Sequence, residues 1–509
     1  MSSMATIESV LSPYETLLAE YQNLKDRYRH SETYIECLEE ALRLMRYRQF
    51  APKSEKFITD EQLIFDEIEV AAKDFKPDDE SDQPELIEVA AHTKQKPRRN
   101  KLPKDLPRET VTIELPFDER VCPHDGTELK VIGKEVSERI DVVPMQMKVI
   151  ETHRLTYACP CCESHVKTAQ TSPEIVPKGK PTAGTLAFIA TAKFVDGLSL
   201  YHIEKMFERN GVDISRGSQA HWMIRCHLAA LPLLNLLEED LLSRDYVQMD
   251  ETPVQVLKEE GKKPESLSYM WIRACPGIKP IVLFDYDPSR KGEVAQRLLM
   301  EFKGKLQCDG FSGYDILEKT PRIERYGCMA HGRRKLYEAV KSQKSANIAK
   351  HALKLVQRLY KIEDEVRGSP SDHVFAVRQE KSVSILNALR EWIDQNMRRV
   401  PPKSPTGKSL LYLHNEWPYL AKYVGDGRVH IDNNFIENKI RPFAVGRRRW
   451  LFSDSVEGAR ASAALYSLVE TTKANGIEPY KYLRHAFERL PKAQTLADFE
   501  ELLPWNAKI

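Results

Sequence analysis

Short apolar runs, broken at fixed places by carboxylates, dominate the centre of the chain. Tyr246-Val-Gln-Met-Asp-Glu-Thr-Pro-Val-Gln-Val-Leu257 is mostly apolar or β-prone and reads as a buried strand with Asp250 in its middle. Tyr269 to Cys275 and Pro280 to Asp285 read as two more strands. Gly292 to Phe302 reads as a helix, and Lys305 to Gly310 as a fourth strand with Asp309 at its end. A lone carboxylate inside a strand is costly to bury, and a metal ion or a partner group normally offsets that cost.

Three strands, a helix and an acid-tipped fourth strand follow the order of a ribonuclease H-like sheet, in which acids on adjacent strands converge on divalent metal. A third acid is then expected from a later helix. Glu437 in Asp432-Asn-Asn-Phe-Ile-Glu-Asn438 is the candidate, with Asp432 or Asn433 as the cap. Asn434, Glu437 and Asn438 share a helical face. Lys439, Arg441, Arg447, Arg448 and Arg449 follow at once, and Arg333 and Arg334 open an earlier basic helix. Acids flanked by arginines suit a site that holds metal and phosphate together. The long helical stretch between the second and third acids, about 335–415, is expected to be an insertion.

The N-terminal pattern differs. Leu17, Tyr21, Leu24, Tyr28, Ser31, Ile35, Leu38, Leu42 and Met45 alternate spacings of four and three, the seam of a coiled coil. A single amphipathic helix packed on its own core is the competing reading. From about Asp60 to Pro107 an acidic run gives way to Lys94-Gln-Lys-Pro-Arg-Arg-Asn-Lys101 with little apolar periodicity, so a disordered linker is expected.

Cys159 and Cys162 form a C-x-x-C knuckle whose thiolates can reach one tetrahedral ion. Upstream, Cys122 stands three residues before Asp125 rather than before a second cysteine, with His124 between them. Cys161 and His165 are alternative ligands. A zinc ribbon with a hairpin over 131–150 is expected; a metal-free ribbon held by packing competes with it. From Pro181 to Leu242 the pattern is helical, with the turn at Gly211 to Ser218 resembling that of a helix-turn-helix. Plain packing beside the sheet explains the same pattern.

Bulk numbers narrow the classes. The 76 basic and 75 acidic residues leave a net charge of +1, so only local clusters can speak for nucleic acid. No apolar run nears the roughly 20 residues a bilayer needs. The start, Met-Ser-Ser-Met-Ala, is unlike a signal peptide. A cytoplasmic protein is the expectation, nucleoid-associated when on DNA. No glycine-rich phosphate loop supports nucleotide hydrolysis.

Two divalent ions about 4 Å apart can activate a nucleophile, stabilise a leaving oxygen and enforce in-line geometry in phosphodiester chemistry. Hard ions want oxygen ligands, and Asp250, Asp309 and Glu437 supply them. Each acid has a plainer reading: a paired Asp250, a turn residue at Asp309-Gly310, a solvated Glu437. Glu251 and Asp315 could substitute in the assignment, and His331 could act as acid, base or phosphate contact, although a lone histidine is more often structural.

Asp250-Glu-Thr-Pro-Val, Cys308-Asp-Gly-Phe-Ser-Gly-Tyr-Asp315, Ala330-His-Gly-Arg-Arg-Lys335 and Asp432-Asn-Asn-Phe-Ile-Glu-Asn-Lys-Ile-Arg-Pro442 together resemble transposases of the insertion-sequence-66 type. The resemblance runs over nearly the whole chain. It implies a D-D-E recombinase acting on terminal inverted repeats with magnesium or manganese, with its triad on Asp250, Asp309 and Glu437. It also implies DNA ends and a DNA target as partners, a homo-oligomer, accessory proteins of the same element, and no membrane. That family usually has a second cysteine where Asp125 stands, so zinc on Cys122, Asp125, Cys159 and Cys162 is the weaker part of the carry-over.

The expected whole is a multidomain α+β protein: coiled coil at 1–58, linker at 59–110, zinc-ribbon-like domain at 111–175, helical segment at 176–245, ribonuclease H-like α/β catalytic core at 246–460, helical C-terminal tail at 461–509. A transposase-derived DNA-binding protein that has lost catalysis is the alternative.

Overall fold

The computed structural model describes residues 21, 22, 24, 25, 28, 146–158, 166–342 and 347–509. The chain divides into two units, Met1–Glu67 with Arg154–Ile509, and Ile68–His153. Of the second unit only 146–153 are described, and they carry no regular structure. Most of the heptad seam, the linker, and Cys122, His124, Asp125, Cys159, Cys161, Cys162 and His165 lie outside the described residues. Strands β1 (Thr156–Ala158) and β2 (Val166–Thr168) pair antiparallel on either side of 159–165.

The larger unit is mixed α+β. Helices α1 (Ala183–Phe194), α2 (Leu200–Arg209) and α3 (Arg216–Ser243) come first, each opened by a Thr or Ser that accepts a backbone N–H three residues on. The third helix continues past Pro232 to Ser243. Trp222, Met223, Cys226, Leu233 and Leu237 keep one face of it buried through 28 residues. Arg273 of the sheet reaches it through Glu238 and also grips Asp285.

The sheet follows: β3 (Tyr246–Lys258), β4 (Leu267–Cys275), β5 (Ile281–Asp287), helix α4 (Gly292–Leu298), β6 (Gly304–Gln307) and β7 (Ile323–Tyr326). Their spatial order is β5-β4-β3-β6-β7. The first three strands pair antiparallel; β6 then adds parallel to β3, and β7 parallel to β6. The long β3 is central, and its far end also pairs with a short late strand, β8 (Ser453–Ser455).

Helices α5 (Met329–Ser342), α6 (Asn347–Glu365), α7 (Ser371–Val377), α8 (Val383–Met397) and α9 (Pro405–Leu420) fill the stretch between Asp309 and Glu437. Their apolar faces meet in one core through Leu336, Val356, Leu359, Leu389, Ile393 and Leu413. The buried Arg378 guanidinium donates to the carbonyls of Tyr423, Asp426 and Val429, fixing the return path toward the sheet. Helix α10 (Asn434–Trp450) then runs into β8, and α11 (Val456–Ala474), α12 (Pro479–Arg489) and α13 (Leu496–Glu500) close the chain.

Helix α11 seals the β5 edge. Thr471 Oγ1 accepts from Val282 N, Ser467 Oγ accepts from Phe284 N, and Asn475 donates to Pro280 O. Four helical residues rise about 6 Å and two strand residues about 6.6 Å, so polar side chains every fourth residue match alternate strand residues. The helix thereby satisfies an edge that would otherwise recruit another strand. Among the described residues no helix is long and apolar enough to cross a membrane.

Candidate active site

Asp250 sits mid-way along β3, and Asp309 lies two residues beyond the end of β6, so the fourth strand is shorter than its sequence suggested. β3 and β6 are neighbours, with Gln248 directly opposite Gln307. Each glutamine stands two residues before an acid and, by strand alternation, β3 carries Gln248 and Asp250 on one face. Both glutamines are fully buried. Gln248 Nε2 donates to Gln307 Oε1 at 2.9 Å, and Gln307 Nε2 donates to the carbonyls of Gly327 and His430.

This polar pair receives the third acid. Asn433 caps α10 without a side-chain bond of its own. Gln248 Oε1 instead accepts the Ile436 backbone N–H at 3.1 Å, and Asp432 Oδ1 accepts the Asn434 N–H. The first turn of the helix, with Glu437 in it, is thus tied to the strand that carries Asp250.

Asp250 feels the result. Burial, then the charges of Asp309, Glu251 and Glu437, push its carboxyl well above the usual range. It accepts the Glu251 backbone N–H at 2.8 Å and, among the described residues, meets no cationic side chain. Glu251 is also raised, by burial first, although Tyr314 and Arg290 donate to it. Arg290 stacks on Phe311 at 4.0 Å. Asp309 Oδ1 accepts the Phe311 N–H, and the buried Arg325 donates to the Asp309 carbonyl. Gly310 allows α9 to cross here, since a Cβ would stand 2.7 Å from the Tyr412 ring.

Glu437 has company that the sequence reading did not assemble. Arg334 donates to its Oε2 at 3.3 Å, and His331 Nδ1 lies 3.6 Å from its Oε1. Cys328 completes a trio whose donor atoms all fall within 4.8 Å of one another. Among the described residues no other His, Cys, Asp or Glu trio converges so closely, so Asp250, Asp309 and Glu437 interact across a wider gap. Asn434 turns its amide back onto Asp432, and Asn438 is exposed, so the expected face of acid plus amides reduces to Glu437.

A divalent ion fits the carboxylates. Several like charges crowd one another, and among the described residues Asp250 meets no cation and the buried Glu437 Oε1 has no hydrogen-bond partner. Asp250 and Asp309 offer oxygen alone, the donor type hard ions prefer.

The basic residues divide. Lys439 pairs with buried Glu470, Arg447 donates to Thr252 Oγ1 and Pro253 O, and Arg449 donates to Asp196 O. Arg334 serves Glu437, and Arg333 is exposed and stacks on Tyr360 at 4.8 Å. Arg448 is exposed and Arg441 half-buried. Several of the expected DNA contacts therefore also have work inside the chain.

Sequence reasoning passed over Gln248 and Gln307. The signal was present: Gln-x-Asp occurs at both acids, as Gln248-Met-Asp250 and Gln307-Cys-Asp309.

Known proteins match along the chain. Residues 178–461 match the family described as Transposase IS66 family. Residues 119–163 match the zinc-finger binding domain of transposase IS66, and 467–505 the IS66 C-terminal element. Residues 37–111 match the Transposase C of IS166 homeodomain. The uncharacterized protein y4qI of Sinorhizobium fredii (strain NBRC 101917 / NGR234) is 31% identical over 515 residues, covering 96% of this chain and 92% of that protein. The uncharacterized protein y4jD of the same organism is 30% identical over 456 residues, covering 87% of each.

Proposed function

Because the chain belongs to the IS66 transposase family, we propose that it cuts DNA at the terminal inverted repeats of an insertion element and joins the freed end to a target. One observation carries the reading: the Gln248–Gln307 pair ties the helix bearing Glu437 to adjacent strands leading to Asp250 and Asp309. The strand order, with antiparallel β3 to β5 and parallel β6 and β7, supports a ribonuclease H-like core at 246–460 interrupted by the helical insertion.

Asp250, Asp309 and Glu437 would hold magnesium or manganese, which supplies Lewis acidity to a phosphodiester and to the attacking hydroxyl. The chain's own groups do the rest. Gln248 holds the start of the Glu437 helix, and Arg325 fixes the Asp309 carbonyl. Arg290 and Tyr314 hold Glu251 away from open solvent beside Asp250. The exposed Arg333 and Arg448 suit phosphate contact, as does the half-buried Arg441. The matched zinc-finger segment, residues 119–163, supports zinc, with Cys159 and Cys162 among the candidate ligands. The N-terminal match supports contact with the element's ends.

The test is a nicking and strand-transfer assay on DNA carrying an element end, with magnesium. Cut and joined products that vanish in Asp250→Asn, Asp309→Asn and Glu437→Gln, with DNA binding retained, bear the proposal out. A full-length chain that binds the end but neither nicks nor joins it with magnesium or manganese leaves only a DNA-binding derivative.

A further inference from the structure

We propose that Cys328, His331 and Glu437 form a binding site for a soft divalent cation, zinc above all, distinct in donor chemistry from the oxygen-only pair Asp250 and Asp309. Cys328 immediately precedes α5, His331 lies in its first turn, and Glu437 lies in the first turn of α10. Two helix starts thus aim a thiol, an imidazole and a carboxylate at one point, with every ligand atom within 4.8 Å of the others.

The distances favour an ion over a hydrogen bond. His331 Nδ1 and Glu437 Oε1 are 3.6 Å apart, too far for the hydrogen bond that either atom could make. Both atoms are buried and lack any hydrogen-bond partner. Ligands 2.0–2.3 Å from a tetrahedral ion stand roughly 3.3–3.7 Å from one another, so one cation would satisfy both atoms without moving either far. Beside them, Asn433 buries both atoms of its amide without a partner while its backbone N–H donates to Cys328 Sγ.

The donor set selects the ion. Sulfur and imidazole are poor ligands for magnesium and good ones for zinc. Cys328 is fully buried, and an ordinary thiol carries its proton at neutral pH. Binding forms the sulfur–metal bond and releases that proton to solvent. Arg334, on the other Glu437 oxygen, orients the carboxylate from behind. Three protein ligands leave a fourth position open.

An ion here claims Glu437. Zinc would then oppose magnesium-dependent cleavage, a consequence that rests on the proposed function, whereas the binding itself does not.

The experiment is cobalt titration of the metal-stripped full-length chain, read by thiolate-to-cobalt absorbance in the near ultraviolet, with zinc competition. The cysteines at 122–162 provide a background common to all variants. Cys328→Ser and His331→Gln are each expected to lose the thiolate-to-cobalt absorbance of one cobalt per chain, while Cys226→Ser, a buried thiol in α3 outside both sites, keeps it. Equal absorbance in the parent and both variants overturns the site. So does a loss confined to Cys328→Ser, which would trace to packing around a buried thiol rather than to a shared ion. Because no DNA is present, failure here is separate from failure of the cleavage assay.

Discussion

Gln248→Leu is expected to loosen the start of the helix that carries Glu437 without disturbing the sheet. Leucine nearly preserves the volume but can neither accept from Ile436 N nor donate to Gln307. The Ile436 N–H belongs to the first turn, where a helix cannot supply its own acceptor. Asn433 provides no side-chain cap, so the donor would be stranded in a buried place. A stranded buried donor costs about 1–3 kcal/mol. The lost bond to Gln307 adds about 0.5–1.5 kcal/mol, softened because Tyr246 still donates to Gln307 Oε1. A combined loss of about 2–3 kcal/mol corresponds to a roughly 30- to 150-fold larger opening constant. Hydrogen exchange of peptides covering 433–440, read by mass spectrometry, measures it directly. Peptides from β4 and β5 serve as controls and are expected to be unchanged. Exchange at 433–440 within about threefold of the parent would show that Gln248 does not hold the helix.

Further expectations concern charge. Asp250→Asn removes a buried carboxyl crowded by other acids, so in EDTA it is expected to raise the thermal midpoint; a lower midpoint would mean that neither burial nor the neighbouring charges strain it. Burial alone would raise the Asp426 carboxyl, but hydrogen bonds from Arg428 and Lys305 outweigh it and hold it far below the usual carboxylate range. Its stabilising contribution is therefore full above the ordinary aspartate value near 4 and fades as pH falls below it. The stability gap between parent and Asp426→Asn is expected to close between about pH 4 and lower pH in denaturant titrations. Arg273→Met strips Asp285 and Glu238 of their shared partner; about 2–3 kcal/mol is expected from urea unfolding, below the full penalty for an enclosed pair because both acids keep some water.

The sheet was legible because β3, β4 and β5 are apolar runs of ordinary strand character with clear breaks between them, at the Gly261 turn and at Pro280. The helical character of the stretch between Asp309 and Glu437 was legible from its pattern. Boundaries suffered where an apolar run outlasts its element, as at α4, which ends at Leu298 although Leu299 and Phe302 beyond it are also buried. Pro232, a residue type that usually ends a helix, lies within α3. Around the acids, single residues were visible but their partnerships were not. Nothing local in Cys328, His331 or Arg334 says that they will face Glu437; that follows only from two helices meeting end to end after the insertion has folded. Arg447 and Lys439 looked like free charge because their acceptors, Pro253 O and Glu470, are distant in sequence.

The insertion also sets a timetable. On a ribosome the two aspartates emerge well before Glu437, and at about 5–20 residues per second the interval lasts roughly 6–25 s. Throughout it, an elongating polypeptide has a sheet but no complete set of acids. On the proposed function, a message truncated within that stretch would yield fragments lacking one of the three acids that cleavage needs.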